Sequence, residues 1–145
     1  MDNETKLHKE IDLIQNCINR MTKNSFMLKG WTISLVAVVL ALTADKLNPF
    51  FLFCSVFIPI LCFWYLDALF LQAEKMYREM YNWVLEERKK DNLEYQYDLN
   101  PIRFKKCVES HFHVMFSQTL SIFYGIPLLV VLIVIIYELV QYIIC

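Results

Sequence analysis

The sequence predicts an all-α integral membrane protein with three transmembrane helices, an N-terminal amphipathic helix and a cytoplasmic helical hairpin. Of its 145 residues, 57% are hydrophobic and 15% are aromatic, and the apolar excess is concentrated in three blocks. Only two glycines and four prolines occur, which is too few for the many turns of an all-β protein. Between the blocks, apolar residues recur at spacings of three and four, the period of an α-helix.

Residues 1–25 are predicted to form the cytoplasmic amphipathic helix. Apolar residues recur along it at alternating spacings of four and three residues. They are Leu7, Ile11, Ile14, Ile18 and Met21. A stripe this narrow is typical of a coiled coil, so we expect it to join copies of the chain in a homo-oligomer. The alternative is a helix that lies flat on the lipid surface. The polar character of this segment also argues against a secretory signal peptide.

Residues 26–72 are predicted to form a transmembrane helical hairpin. The first span, 26–44, is about as long as the hydrocarbon core is thick when it is helical. A polar turn over 45–49 leads into the second span, 50–72, where Pro59 is expected to bend the helix.

Each of these two spans carries one charged residue near its cytoplasmic end, Lys29 in the first and Asp67 in the second. Because the spans run antiparallel, the two charges are expected at similar depth. An unpaired charge there costs on the order of 3 kcal/mol, which an ion pair would largely remove. The alternative is that Lys29 extends to the interface along its aliphatic stem and that Asp67 also reaches the headgroups.

Residues 73–118 are predicted to form the cytoplasmic helical hairpin, with helices over 73–90 and 102–118 and a turn between them. Cations and aromatic residues gather around its turn, and the candidate ligand-binding residues are Arg103, Lys105, Lys106, Tyr95 and Tyr97. Such a group can bind a nucleotide or single-stranded nucleic acid through phosphate contacts and base stacking. The alternative is ordinary cytoplasmic positive charge in contact with anionic lipid.

Residues 119–145 are predicted to hold the third span, which we expect to line a pore. Small residues recur every fourth position at its inner end, an apolar run follows, and a glutamate lies near its outer end; the candidate pore residues are Ser117, Ser121, Gly125, Leu132 and Glu138. Polar mouths around an apolar constriction are the requirement for a gate that closes by dewetting. Close helix packing through the small residues is the alternative.

Orientation follows from the distribution of lysine and arginine. Thirteen of the 14 precede the first span, lie just inside it or lie between spans two and three, and only Lys46 falls on the other side. This asymmetry predicts a cytoplasmic N-terminus and an external C-terminus. No catalytic constellation occurs, and His111 and His113 are two residues apart, on opposite sides of a helix. We therefore expect no enzymatic activity, no cofactor and no metal.

The stretch FWYLDALFLQAEKMYREMYNWV resembles a signature of small prokaryotic multi-span membrane proteins, F-W-x-L-D followed by E-[KR]-x-[FY]-R-x-x-Y. The residues that carry the match are Phe63, Trp64, Leu66, Asp67, Glu74, Lys75, Tyr77, Arg78 and Tyr81. Through this signature the chain is similar to membrane effectors of anti-phage defence operons, including the Hailong type, in which a nucleotidyltransferase partner controls a channel-forming effector. The resemblance implies a bacterial inner-membrane protein, oligomeric assembly and gating by a nucleotide-derived ligand.

Two functional hypotheses follow. The first is an oligomeric, ligand-gated ion channel that depolarises the membrane as an antiviral defence effector. The second is a non-conducting membrane anchor or scaffold that recruits a soluble partner through the cytoplasmic hairpin.

Overall fold

The computed structural model describes residues 3–42 and 49–144, which contain helices and their connections and no β-strand. The elements are α1 (Asn3–Leu42), α2 (Pro49–Leu52), a π-helical turn (Phe53–Phe57), α3 (Ile58–Lys89), a 3-10 turn (Pro101–Phe104), α4 (His111–Met115) and α5 (Gln118–Ile144). The all-α prediction is confirmed. Residues 45–48 of the predicted polar turn, Lys46 among them, lie outside the described residues, and its last residue, Pro49, begins α2.

Helix α1 joins the predicted amphipathic segment and the predicted first span into one helix of 40 residues. No proline occurs in this stretch, so nothing in the sequence removes a backbone hydrogen bond from its interior. At 1.5 Å per residue the helix is about 60 Å long, twice the thickness of a hydrocarbon core.

Helix α3 has 32 residues and begins directly after the π-helical turn, with Pro59 as its second residue. Proline lacks an N–H group and its ring clashes with the carbonyl four residues earlier, so the preceding backbone must widen. A π-turn provides that widening. Beyond it, α3 passes Gln72 without a break, and Arg88 and Lys89 lie favourably in its last turn.

The two long helices are antiparallel neighbours, and α5 packs beside them over one half of their length. The apolar cluster in this half contains Val56, Ile60, Ala68, Val114, Leu120, Tyr124, Leu128, Val131 and Ile135. Its members in α5 recur at spacings of three and four and so form one face of that helix. From α1, Leu35, Val36 and Val39 pack against the same cluster.

The other half of the α1–α3 pair encloses a second cluster, which covers the predicted oligomerisation seam. Its buried members are Ile14, Tyr77, Met80, Val84 and Phe104, with Leu7, Ile18 and Met21 packed against them. Helix α3 supplies apolar residues at matching three- and four-residue spacing, so the seam finds its partner within the chain. Ile11 is half-buried and lies outside this cluster. Self-association stays a prediction, but this seam is largely occupied in the single chain.

The structure differs from the predicted continuous helix over 102–118. In its place, the 3-10 turn and the five-residue α4 are separated by an irregular stretch. Asn100 Oδ1 accepts from the Ile102 N–H at 3.1 Å, and Ser110 Oγ accepts from the His113 N–H at 3.3 Å. Each of these polar side chains caps a new element, and two caps ten residues apart favour two short elements over one long helix.

Two helical segments of the described chain, Phe53–Lys89 and Gln118–Gln141, are long and apolar enough to cross a membrane. Large apolar side chains are exposed along them, including Phe53, Ile126, Ile133 and Ile136. Together these features favour association with a membrane. The predicted first span, 26–44, lies in α1 beside α3. Its last two residues are outside the described part, and it stays a prediction.

Replacing Ile14 with Asp tests the packing of the seam. Ile14 is 1% exposed, so the variant would place a charge without a partner in the second cluster and lower the free energy of unfolding by more than about 3 kcal/mol. Thermal unfolding followed by circular dichroism in detergent would measure this. The control is Ile11→Asp, at a half-buried position outside the cluster, with an expected loss of about 1 kcal/mol. If Ile14→Asp keeps the parent's stability and instead lowers the mass of the assembly, the seam joins copies of the chain.

Candidate functional site

An ion pair and a tyrosine connect all three long helices at the level of the predicted membrane interface. Lys29 Nζ in α1 donates to Asp67 Oδ2 in α3 at 2.6 Å, and the Tyr124 hydroxyl in α5 donates to the same oxygen at 3.0 Å. Asp67 and Tyr124 are 0% exposed. We call these three residues the membrane cluster. Sequence reasoning put Lys29 and Asp67 at one depth but missed Tyr124, whose only signal was a hydroxyl within an apolar span.

The membrane cluster has further polar neighbours and one unsatisfied atom. Lys29 Nζ also donates to Ser25 Oγ at 2.7 Å, while the buried Thr32 hydroxyl donates to the Leu28 carbonyl at 2.8 Å. Among the described residues, Asp67 Oδ1 has no hydrogen-bond partner. The charge of the carboxylate is therefore balanced by Lys29, but Oδ1 stays a free acceptor to which a water molecule could donate.

A second polar assembly, which we call the clasp, lies at the end of the α1–α3 pair that is formed by the start of α1 and the end of α3. It consists of Glu10, Arg88 and the loop over 91–100. Arg88 Nε donates to Glu10 Oε2 at 3.0 Å, and Arg88 Nη2 donates to Glu10 Oε1 at 2.9 Å. The side chains of Arg88 and Glu10 are 5% and 2% exposed. This two-bond geometry is the strongest form of ion pair available to arginine.

The loop of the clasp is held in an unfavourable backbone conformation. Asp91, Tyr95 and Tyr97 have φ values of 57°, 57° and 63°, in the left-handed region that side chains with a Cβ rarely adopt. Tyr97 is fixed by its N–H, which donates to Glu10 Oε1 at 3.1 Å, and by its hydroxyl, which donates to the Lys6 carbonyl at 3.3 Å. Arg88 Nη1 donates to the Asn92 and Glu94 carbonyls. The clasp contacts therefore offset the backbone strain.

The predicted ligand-binding residues separate into two groups. The guanidinium of Arg103 lies 4.0 Å from the ring centre of Tyr95 and 5.4 Å from that of Trp83, and it pairs with Asp98 at 3.6 Å. Together with Tyr97, these side chains stabilise the loop internally. Lys105 and Lys106, in contrast, are exposed and form no ion pair or hydrogen bond with any described residue. The five residues do not form one open site.

The segment before α5 is fastened to α3 where the membrane exit is predicted. Gln72 Nε2 donates to the Glu109 carbonyl at 2.9 Å, and Trp64 Nε1 donates to the Met115 carbonyl at 2.8 Å. Lys75 pairs with the Glu109 carboxylate and thereby lowers the pKa of that group. Trp64, Asp67 and Lys75 belong to the signature described above, so three of its residues make contacts that hold the helices together.

Three of the predicted pore residues, Ser121, Gly125 and Leu132, lie on one flank of α5 beside its buried face, and Ser117 directly precedes the helix. Ser117, Ser121 and Gly125 are half-buried, and no atom lies within 4 Å of a Cβ built on Gly125. Leu132 is 38% exposed. Within one chain this flank is open to a neighbour and lines no channel. The side chain of Glu138 lies outside the described part.

The Lys29→Met and Asp67→Asn exchanges test the membrane cluster by a double-mutant cycle. Each single change leaves a buried group without its charged partner and is expected to lower the free energy of unfolding by about 3 to 5 kcal/mol. The double variant should recover part of this loss because no unpaired charge is left. Chemical unfolding in detergent would measure the coupling. Strictly additive losses would show that the pair contributes nothing as a pair.

Replacing Arg88 with Met tests the clasp. The change leaves Glu10 buried without a partner, so we expect a loss of about 3 to 5 kcal/mol and faster amide hydrogen exchange over 91–100. The matched control is Arg78→Met, which removes an i,i+4 pair with Glu74 at the surface and should cost less than about 1 kcal/mol. Unchanged exchange in the loop of Arg88→Met would show that the loop is held by its aromatic contacts alone.

The chain matches no protein-family model, no curated protein and no solved structure. What it does must therefore follow from its own geometry, in which one buried ion pair lies at an end of the α1–α3 pair and another lies near its middle.

Proposed function

We propose that the chain is a subunit of an oligomeric, ligand-gated ion channel in the bacterial inner membrane, whose opening depolarises the cell as an antiviral defence response. The observation that supports this function best is the continuity of α1 and α3. The same two helices carry the clasp at one end and the membrane cluster near the middle, with no break between them.

The helix pair is suited to transmit a change in the clasp to the membrane. Glu10 and Lys29 are separated by about 28 Å along α1, and Asp67 and Arg88 by about 32 Å along α3, at 1.5 Å per residue. Buried ion pairs tolerate little sliding because an intermediate position leaves charges without partners. A shift of one helix along the other therefore favours two discrete arrangements over a continuum, as a gate requires.

Tyr124 connects this movement to α5. Its hydroxyl bonds to Asp67, so a displacement of α3 relative to α1 changes the position of α5 as well. In the proposed assembly, copies of α5 line the axis with the Ser117, Ser121 and Gly125 flank at the cytoplasmic mouth. Leu132 forms the apolar constriction and Glu138 the outer mouth, with the N-terminus in the cytoplasm and the C-terminus outside.

The trigger in this proposal is an anionic, nucleotide-derived ligand made by a partner nucleotidyltransferase. Lys105 and Lys106 are the outward-facing cations of the predicted site and offer first contact with phosphate. Release of the strained loop would free Arg103, Tyr95 and Tyr97 for stacking with bases. The ligand would thus gain affinity by opening the clasp, and an opened clasp would change the helix pair.

One observation favours the second function, a membrane anchor or scaffold. The predicted seam is already covered by α3, which removes one surface for self-association. At the cytoplasmic side, Leu93 and Ile102 are 57% and 66% exposed and would suit contact with a soluble partner.

Conductance across a planar bilayer decides between the two functions. Leu132→Ser should raise the basal conductance about tenfold, because a hydroxyl in the constriction favours water there. The control is Ile133→Ser, at a 63% exposed position on the lipid side of α5, which should leave conductance at the parent's level. Glu138→Gln should lower the preference for cations. A silent parent and silent variants, with and without single-stranded oligonucleotides, would establish the scaffold instead.

A further inference from the structure

A groove of about 290 Å³ lies between α1 and α3, lined by Asn24, Met27, Leu28, Trp31, Leu66 and Phe70. Its walls are apolar apart from the Asn24 amide, and Trp31 is 55% exposed along it. Among the described residues, none from α5 lines this groove. It is therefore distinct from the flank of α5 assigned to the pore.

The depth of the groove follows from the membrane cluster. Leu28 and Leu66 directly precede Lys29 and Asp67, whose side chains meet at 2.6 Å. Trp31 and Leu66 lie on the membrane side of this level, and Asn24 lies towards the cytoplasm. With the membrane exit near Gln72, the groove opens into the inner leaflet just below the headgroups.

Two cations lie at the cytoplasmic mouth of the groove. Arg20 is exposed and, by helical spacing, shares the face of α1 that carries Asn24, Met27 and Trp31. Lys23 is exposed at the edge of this face, one turn before Met27. Neither forms an ion pair or hydrogen bond with a described residue. Glu74, one turn beyond Phe70 on α3, is already paired with Arg78 at 2.7 Å. The mouth is therefore positively charged, while the interior is apolar.

We propose that this groove binds an anionic phospholipid of the inner leaflet. An acyl chain lies against Trp31 and Leu66, the ester region lies near Asn24, and the phosphate faces Arg20 and Lys23. A zwitterionic lipid has no net charge and would leave the positive charge of Arg20 and Lys23 unbalanced. A second copy of the chain would add its own Arg20 and Lys23 and so increase the repulsion. Charge complementarity thus selects a lipid with a net negative headgroup. The site is independent of whether the chain conducts ions.

Native mass spectrometry of the detergent-solubilised protein, titrated with phosphatidylglycerol or with phosphatidylcholine of the same acyl chains, tests the headgroup. The double variant Arg20→Gln/Lys23→Gln should bind phosphatidylglycerol about tenfold more weakly than the parent, and phosphatidylcholine as the parent does. The control Lys9→Gln/Lys89→Gln removes two exposed charges elsewhere on the same helices and should bind like the parent. Equal loss in the control, or equal binding of the two lipids by the parent, would overturn the proposal.

The acyl chain is tested on the unaltered groove. Phosphatidylglycerol with brominated acyl chains should quench a component of the tryptophan fluorescence that disappears in Trp31→Phe. Absence of that component would overturn the proposal, because the chain would then lie elsewhere. Leu66→Trp, which fills the groove, should lower the number of bound phosphatidylglycerol molecules. If it instead changes the number of chains per particle at a constant lipid count, the groove holds a second copy of the protein.

Discussion

The free energy of burying the Asp67 carboxylate constrains the arrangement of the whole membrane half. A fully buried charge needs a partner of opposite sign and donors for its oxygens. Lys29 from α1 supplies the opposite charge at 2.6 Å, and the Tyr124 hydroxyl from α5 supplies a second donor to the same oxygen, Oδ2, at 3.0 Å. Each donor comes from a different helix, so the carboxylate fixes the depth of both helices against α3. Apolar packing alone would tolerate several registers, because lipid-exposed helices slide past one another at little cost.

The other half of the α1–α3 pair, which carries the clasp, follows the same physical rule. Glu10 and Arg88 are buried where water could have solvated them, and the contacts of Arg88 extend to loop carbonyls. The pair therefore sets the register of α1 and α3 at their far ends as the membrane cluster does at their centre. Between the two ion pairs, Ile14, Met80 and Val84 provide the apolar contact that keeps the helices together. The two ion pairs therefore set the axial register of α1 and α3, and the burial of apolar side chains supplies the free energy that holds the two helices together.

Much of this architecture could be predicted from periodicity and composition, and the limits have physical causes. The continuity of α3 and the similar depth of Lys29 and Asp67 follow from helix geometry, which is local. The partner of the α1 seam could not be predicted, because a heptad stripe specifies a complementary stripe and not the chain that carries it. The environments of Arg88 and Arg103 were equally hidden. A cation in a charged stretch looks the same in sequence whether water, an aromatic ring or a buried glutamate surrounds it.

The π-helical turn at Phe53–Phe57 has a mechanical consequence because of where it lies. Its first residue is separated from Asp67 by about 21 Å along the helix axis, so the ion pair that fixes the helices and the backbone irregularity lie at different levels of the bundle. A tilt of this helix by about 10° around the level of Asp67 displaces the start of the π-helical turn sideways by about 4 Å, while the contacts near Asp67 stay unchanged. Because the contacts of Asp67 are rigid and the helix extends about 21 Å beyond them, a small angular change produces a lateral displacement comparable to the diameter of an ion.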